Sequence, residues 1–234
     1  MKPLTIHIYK TKQAFCAILI LLLFWSCKRS SEEKPNILWI TFEDTSPWEL
    51  GLYGHQEVIT PHAASLAEEG VVFTNASSVA PHSSPARSTI ISGSPATKYG
   101  NDWHRCKHRV PEDIYFFPEL MREAGYFCTN NSKTDYNTLD KQWESVKDKV
   151  WDECGNNASY NSPDRKPGQP FFSVFNCLIS HEGRIATIKT DMRKNRDVHP
   201  DSIELPPYMP DLPETRDDFA WHAESVKLVD EWLG

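Results

Sequence analysis

Two nearly continuous apolar runs, residues 36–42 and 170–176, constrain the fold of this chain more than any other feature. Runs of this kind, bounded by polar residues, are typical of strands that are buried on both faces of a sheet. The chain has 234 residues, which is long enough for one substantial domain built around such strands. The runs therefore predict an α/β domain.

Weaker patterns predict the remaining elements. Further strands are expected at residues 71–74 and 126–129, and helices at residues 60–69, 116–123 and 215–233. Thr60 and Thr215 are the expected N-caps of the first and last of these helices. Residues 137–170 lack clear periodicity, which indicates an irregular surface excursion, and the proline-rich residues 206–213 are typical of an extended linker.

The stretch from Ser83 to Gly93, called here the signature stretch, has the pattern of a helix that begins at a functional turn. Ser83 suits the N-cap and Pro85 the first helical turn, so backbone N–H groups would face a ligand above the serine. Arg87 follows one helical turn later and could reach the same ligand. A polar N-cap with an ordinary surface arginine is the alternative.

Polar side chains follow the predicted strands at the point where each strand ends. Glu43 and Asp44 follow the first strand, Lys133 comes shortly after residues 126–129, and His181 comes after residues 170–176. Ligands of open α/β sheets bind at the carboxyl ends of the strands, and adjacent carboxylates there suit calcium or magnesium. A solvated acidic turn, an exposed lysine and an unengaged loop histidine are the alternatives.

A basic, histidine-rich segment follows the signature stretch, between residues 101 and 109. We expect it to face anionic groups of a substrate, with His104 as its candidate catalytic residue because it comes soonest after the signature helix. A solvated loop is the alternative.

The order Ser83, Pro85, Arg87 and then Ile91-Ser92-Gly93 resembles the signature of the type I sulfatases, which belong to the alkaline phosphatase-like superfamily. In that family the first residue, Cys or Ser, is oxidised to formylglycine. Ser83 matches this residue, and Pro85 and Arg87 match the residues that the formylglycine-generating enzyme recognises. The resemblance implies a mixed, largely parallel sheet sandwiched by helices.

The resemblance also implies roles for the residues at the strand ends. Glu43 and Asp44 match a metal-binding acid pair that is usually Asp-Asp, so they and Ser83 would bind Ca²⁺ or Mg²⁺. Lys133 matches a lysine that contacts sulfate, while Asp135 stands where many sulfatases have a histidine. His181 matches a histidine beside the scissile group.

The resemblance covers residues 35–234, which correspond to about the first half of a complete enzyme. The second half of the metal site cannot be found in this sequence. We therefore expect an amino-terminal sulfatase catalytic domain that is truncated at its carboxy-terminal end.

The amino terminus has the pattern of an export signal. Three lysines precede the apolar run from Ala14 to Trp25, which is shorter than an ordinary membrane-spanning helix. Residues 1–26 are expected to be a lipoprotein-type signal peptide, Cys27 a lipid-anchored first residue, and residues 27–34 a tether. The protein would then lie in the periplasm or at the cell surface. A plain secretory signal is the alternative.

The net charge and the cysteine spacing indicate which ligands the chain is unsuited to bind. The formal net charge is −7, and it becomes −10 without residues 1–26, which carry three lysines and no acid. An acidic chain disfavours non-specific binding of nucleic acid, so a polyanionic substrate would need a local basic site. Outside the leader and Cys27, four cysteines show no zinc-binding spacing, and their pairing is left open: Cys106, Cys128, Cys154 and Cys177.

Three functions are compatible with these patterns. The first is a sulfuric ester hydrolase that acts on sulfated glycans through formylglycine at Ser83, on an O-linked sulfate or on an N-linked one as in the heparan sulfamidase branch. The second is a phosphoester hydrolase or transferase of the same superfamily that uses unmodified Ser83. The third is a non-catalytic lipoprotein fragment.

Overall fold

The structure is a computed structural model that describes residues 33–55, 57–189 and 196–234. The chain divides into two units, residues 1–35 and residues 36–234, and the second is described below. The expected signal peptide, Cys27 and most of the expected tether lie outside the described residues. Within the described part of the chain, no helix combines the length and the apolar character that crossing a membrane requires.

A four-stranded sheet forms the centre of the unit. Its strands are β1 (Ile37–Phe42), β2 (Phe127–Asn131), β3 (Glu153–Cys154) and β4 (Phe171–Cys177), in the spatial order β1-β4-β2-β3. All three strand pairs are parallel. The α/β class and the largely parallel sheet are therefore confirmed, as are the strands expected at residues 36–42, 126–129 and 170–176. The expected burial of residues 36–42 on both faces is wrong: Ile37 and Trp39 pack on a hydrophobic core, whereas Leu38 and Phe42 on the other face of β1 are 51% and 39% exposed.

Among the described residues, five helices flank this sheet or continue the chain beyond it. They are α1 (Pro61–Glu69), α2 (Ser83–Ser92), α3 (Phe117–Glu123), α4 (Asp140–Val150) and α5 (Pro213–Leu233). Short 3₁₀ turns lie at Pro47–Glu49, Gly51–Tyr53, Ala96–Tyr99, Glu182–Arg184 and Pro200–Ser202, and one helical turn at Ile185–Thr187.

The main hydrophobic core lies between one face of the sheet and helices α2 to α4. Phe172 of β4 is buried at its centre and packs edge to face against Trp39 of β1, with ring centroids 5.9 Å apart. Ile91 brings α2 into this core, and Val150 brings α4 into it. The core thereby fixes the signature helix over the sheet.

A second hydrophobic cluster anchors α5. Ala220, Ala223 and Val226 of this helix are buried against Val58 and Ile203. Because residue 58 belongs to the segment that follows β1, this cluster ties the loops after β1 to the carboxy-terminal part of the described chain.

The strand expected at residues 71–74 is wrong, since this segment is irregular. Phe73 is 72% exposed. The apolar pattern favoured a strand, but β-propensity is realised only where a neighbouring strand and a core are available to the segment. The strand, loop and helix unit expected before Ser83 is therefore absent from the described residues.

The irregular excursion expected at residues 137–170 is wrong in its first half, which contains α4 and β3. Trp143, Val146 and Val150 of α4 contact the main core, and they recur at helical spacing. The charged residues between them hid this pattern. Residues after Cys154 do run through turns until β4 begins.

The starts of α2 and α5 differ from expectation. His82 is the N-cap of α2, so Ser83 is its first residue rather than its cap. Helix α5 begins at Pro213 with Leu212 as N-cap, so Thr215 lies inside it, because proline suits the first helical position. Thr60 does occupy the N-cap of α1, but its side chain makes no capping hydrogen bond.

The four described cysteines are free thiols. Burial raises the pKa of Cys128 to about 12, an effect that nearby Asp152 strengthens and Arg122 opposes. Burial also raises the pKa values of Cys154 and Cys177 above their ordinary value. The sequence left open whether these cysteines form disulfides, and in this structure the four described cysteines do not.

Candidate active site at the strand ends

The carboxyl ends of β1, β2 and β4 meet at one edge of the sheet, because the three strands are parallel neighbours. Glu43 follows β1 directly, Lys133 comes two residues after β2, and His181 comes four residues after β4. The edge therefore brings together segments that are far apart in the sequence, and the side chains that contact one another there define the candidate site.

Glu43 is the centre of this site. Its side chain is only 5% exposed, and its Oε1 lies 3.4 Å from Nη1 of Arg87. Its Oε2 accepts a hydrogen bond from Nζ of Lys133. A buried carboxylate thus faces two cations, which offsets much of the cost of burying any one of these charges.

Arg87 reaches the sheet edge from helix α2. Its Nη2 donates to the backbone oxygen of Lys133 at 2.7 Å, and its Nε donates to the backbone oxygen of Thr134 at 3.1 Å. The next residue of α2 is fixed as well, since Ser88 is buried and its Oγ accepts the N–H of Asn137 at 2.8 Å. This anchoring directs the guanidinium toward the strand ends.

Asparagine side chains support the cations from the strands below. Oδ1 of Asn176 accepts hydrogen bonds from Arg87 and, at 2.9 Å, from the hydroxyl of Thr41. Nδ2 of Asn176 donates to Oδ1 of the buried Asn130 at 2.9 Å. Sequence reasoning did not identify these residues as part of the site. Asn176 is the last residue of an expected strand, and polar residues at strand ends were expected to form the site.

Ser83 lies half-buried at the first position of α2, one helical turn before Arg87. The first N–H groups of a helix have no partner within it, so they and the helix dipole favour an anion near this serine. The placement differs by one residue from the expected N-cap, but it keeps Ser83 and Arg87 on one face of the helix.

His104 lies at the amino-terminal end of α2. Its Nδ1 is 3.4 Å from the hydroxyl of Ser84, and its ring centroid is 5.3 Å from that of His82. The same Ser84 hydroxyl accepts the backbone N–H of Arg105 at 2.7 Å. The basic segment is therefore attached to the signature helix beside Ser83, which sequence reasoning expected only from its order in the chain.

The other cations of the basic segment have acidic partners. Lys107 pairs with Asp140 at 2.5 Å, and Arg109 pairs with Glu112 at 3.0 Å. Nε of Arg105 lies 3.5 Å from Oδ1 of Asp135, the residue that stands in place of a histidine in the resembled pattern. Asp135 thus contributes to this segment as a counter-ion.

Asp44 and His181 come together through the loops that follow β1 and β4. Oδ2 of Asp44 accepts the backbone N–H of Glu182 at 2.9 Å, and Oγ of Ser180 bonds both the N–H and the oxygen of Glu43, at 3.2 and 2.5 Å. His181 lies between these two contacts, and its Nδ1 accepts the N–H of the residue two positions later at 3.1 Å. Asp44 has φ 47°, a left-handed conformation that aspartate tolerates at functional turns.

Helix α5 holds the loop that follows Asp44. Nδ1 of His222 lies 3.0 Å from Oε1 of the buried Glu49, whose Oε2 accepts the N–H of Ser46 at 2.6 Å. Burial lowers the pKa of His222, but the bond to Glu49, the charge of Glu49 and the nearby Asp44 outweigh this effect and raise the pKa above its ordinary value. The contact between His222 and Glu49 therefore links α5 to this loop.

Glu43 and Asp44 at the strand ends have side chains of the kind that bind a hard cation. Glu43 and Asp44 supply carboxylate oxygens, which calcium and magnesium prefer. In the described part of the chain, however, no group of three or more histidine, cysteine or acidic side chains is arranged to hold a metal ion. Both oxygens of Glu43 also face Arg87 and Lys133. The metal role of Glu43, Asp44 and Ser83 remains a prediction.

Comparison with known proteins gives the family. The family model for sulfatases matches residues 35–218. An ulvan-active sulfatase of Formosa agariphila is 31% identical over 201 residues, which are 74% of this chain and 32% of that protein. The human N-acetylgalactosamine-6-sulfatase is 30% identical over 105 residues, 40% of this chain and 20% of that protein.

Solved structures show the same fold. A 2-O GAG sulfatase aligns with TM-score 0.59 and 18% identity, over 86% of this chain and 53% of that one. Its similarity bears on the fold alone. The chain spans about a third of the length of the ulvan-active relative and about half of this structure. Because the family model matches most of the chain, the chain belongs to the sulfatase family.

Proposed function

We propose that this chain contributes the strand-end half of a sulfatase active site that hydrolyses sulfate esters of glycans. The observation that carries the proposal is that Arg87 and Lys133 both contact Glu43 at the sheet edge. Ser83 lies one helical turn before Arg87, at the first position of α2. Two cations with a half-buried hydroxyl at a helix start suit a tetrahedral sulfate group, whose negative charge is spread over its non-bridging oxygens.

The glycan part of the proposal is supported by relatives. The ulvan-active sulfatase and the N-acetylgalactosamine-6-sulfatase are named for saccharide substrates. Sulfated sugars carry their charge locally, so an acidic chain can bind them through a small basic site.

Each residue has a task in the proposed reaction. Arg87 and Lys133 neutralise the non-bridging oxygens of the sulfate, which stabilises the charge of the transition state. His181 and His104 are the candidates for protonating the leaving group. His181 lies in the loop that contacts Asp44, and His104 contacts Ser84 at the start of α2, next to Ser83. Formylglycine at Ser83 would supply, as its hydrate, a hydroxyl that attacks sulfur and a second that releases sulfate.

The acid pair has the remaining task. Glu43 and Asp44 are the residues that would hold Ca²⁺ or Mg²⁺, which would polarise the sulfate and lower the pKa of the nucleophile. For Glu43 this requires an exchange of partners, because its oxygens face Arg87 and Lys133. That exchange would release both cations toward the sulfate.

Mass spectrometry of the peptide that spans Ser83 tests the nucleophile. The chain is produced together with a formylglycine-generating enzyme, which we propose as its maturation partner. We expect loss of two hydrogens at Ser83, and Ser83→Ala should abolish the loss and any hydrolysis of 4-nitrophenyl sulfate. An intact serine with hydrolysis of 4-nitrophenyl phosphate would instead establish the phosphoester alternative.

We also propose export and lipid anchoring of the protein at Cys27, followed by residence in the periplasm or at the cell surface. The support is the sequence pattern of residues 1–27, with lysines, an apolar run and a small residue before the cysteine. A sulfated polysaccharide is too large to enter a cell readily, so this location suits the proposed substrate.

A further inference from the structure

An open cleft lies beside the loop that follows Asp44, between this loop and the segment that precedes α5. We call it the aromatic cleft, and its volume is about 630 Å³. The lining residues used below are Trp48, Tyr53, His55, Glu57, Glu204 and Tyr208. None of these belongs to the cluster around Glu43.

Three aromatic side chains expose their rings in this cleft. Trp48, Tyr53 and Tyr208 are 40%, 37% and 79% exposed, respectively. Two of them are held in place: Trp48 stacks on Phe219 of α5 with ring centroids 6.3 Å apart, and the hydroxyl of Tyr53 donates to the backbone oxygen of Phe73 at 3.0 Å. Preorganised aromatic faces cost little entropy when a ligand binds to them.

The polar groups of the cleft select a neutral ligand. Glu57 and Glu204 offer acceptors, and the described lining contains no lysine or arginine. Nδ1 of His55 accepts two backbone N–H groups at 3.1 Å, so its proton lies on Nε2, which is a donor. A sulfate or a carboxylate would be repelled by the two acids, whereas sugar hydroxyls can donate to them.

We propose that the aromatic cleft binds an unsulfated, neutral sugar residue of the glycan, with the ring of Tyr208 and the exposed face of Trp48 stacking on its C–H face. The proposal rests on the proposed function for the identity of the ligand as a glycan. Trp48 is four residues from Asp44, so the two lie at most roughly 14 Å apart along the chain. One glycan chain can therefore occupy the sulfate site and the cleft together.

Ligand-observed saturation-transfer NMR of the 234-residue chain tests the proposal, with maltotetraose, cellotetraose and chitotetraose as neutral probes. We expect at least one probe to bind, and Tyr208→Ala to weaken that binding roughly 3- to 10-fold, the equivalent of losing one aromatic contact. Tyr208→Phe keeps the ring and should bind like the unsubstituted chain. Tyr115→Ala removes an exposed tyrosine outside the cleft and should have no effect.

Binding of none of the three probes would overturn the proposal, as would equal binding by the Tyr208→Ala and Trp48→Ala variants and the unsubstituted chain. Ser83→Ala separates the two functions, because it should leave probe binding unchanged. Probe binding with an unmodified Ser83 after co-production with the formylglycine-generating enzyme contradicts only the proposed sulfatase function. Hydrolysis without probe binding contradicts only the aromatic cleft as a sugar site.

Discussion

At the scale of single residues, Glu43 decides the electrostatics of the candidate site. A buried carboxylate between a guanidinium and an ammonium holds both cations at the sheet edge while no substrate is present. An incoming sulfate would compete with Glu43 for the same donors. The charge of this residue should therefore oppose anion binding unless Glu43 takes another partner.

The substitution Glu43→Gln tests this competition. It removes the negative charge but keeps the shape, so the chain should lose about 1–3 kcal/mol of unfolding free energy because two largely buried cations lose their counter-ion. Millimolar sodium sulfate should raise the melting temperature of this variant more than that of the unsubstituted chain, since sulfate replaces the missing charge.

Glu49→Gln is the matched control, because Glu49 is also buried and paired but faces His222 instead of the two cations. It should destabilise the chain without increasing the response to sulfate, which also corrects for the general stabilising effect of this anion. Equal sulfate responses in both variants would contradict the competition between Glu43 and sulfate.

The residues of the site could be predicted where a strand end or a motif marked them. Glu43, Arg87 and Lys133 do contact one another, and His104 does lie at the signature helix. Asn176 could not be singled out, because an amide at the end of an apolar strand gains its role only from its contacts with Arg87 and with the neighbouring strands. Roles in metal binding and catalysis remain predictions for all candidate residues.

At the scale of elements, the strands with continuous apolar runs were predictable and most helix starts were not. Such runs identify β1 and β4, but they predict burial on both faces, and the even-numbered face of β1 with Leu38 and Phe42 is exposed. The start of a helix depends on the group that accepts hydrogen bonds from its first N–H groups, and that group can belong to a residue far away in the sequence. Helix α1 shows this dependence directly.

Asp230 of α5 caps the start of α1. Its carboxylate accepts the N–H of His62 at 3.1 Å and that of Ala63 at 2.9 Å, while the side chain of Thr60 makes no capping bond. Asp230→Ala should therefore lower the unfolding free energy by about 0.5–2 kcal/mol, measured by urea denaturation. Asp230→Asn keeps an acceptor oxygen and should lose less. Equal losses in the two variants would argue against capping as the cause.

At the scale of the whole molecule, the sequence predicts an export signal at residues 1–26 ahead of the sulfatase-family unit. The family model begins at residue 35, directly after the expected tether at residues 27–34. A tether of this length would keep the active site close to the membrane while leaving it accessible to a large glycan. The proposed anchoring would depend on one atom, the sulfur of Cys27.

Cys27→Ser should move the protein from the membrane fraction to the soluble exported fraction, because serine cannot receive the thioether-linked lipid. Cell fractionation with immunoblotting measures the change, and mass spectrometry of the amino-terminal peptide should show the lipid only when Cys27 is present. Cys16→Ser is the matched control, since it removes a cysteine inside the apolar run and should leave the anchor intact. If the Cys27→Ser protein stays in the membrane fraction with an uncleaved leader, the apolar run itself is the anchor.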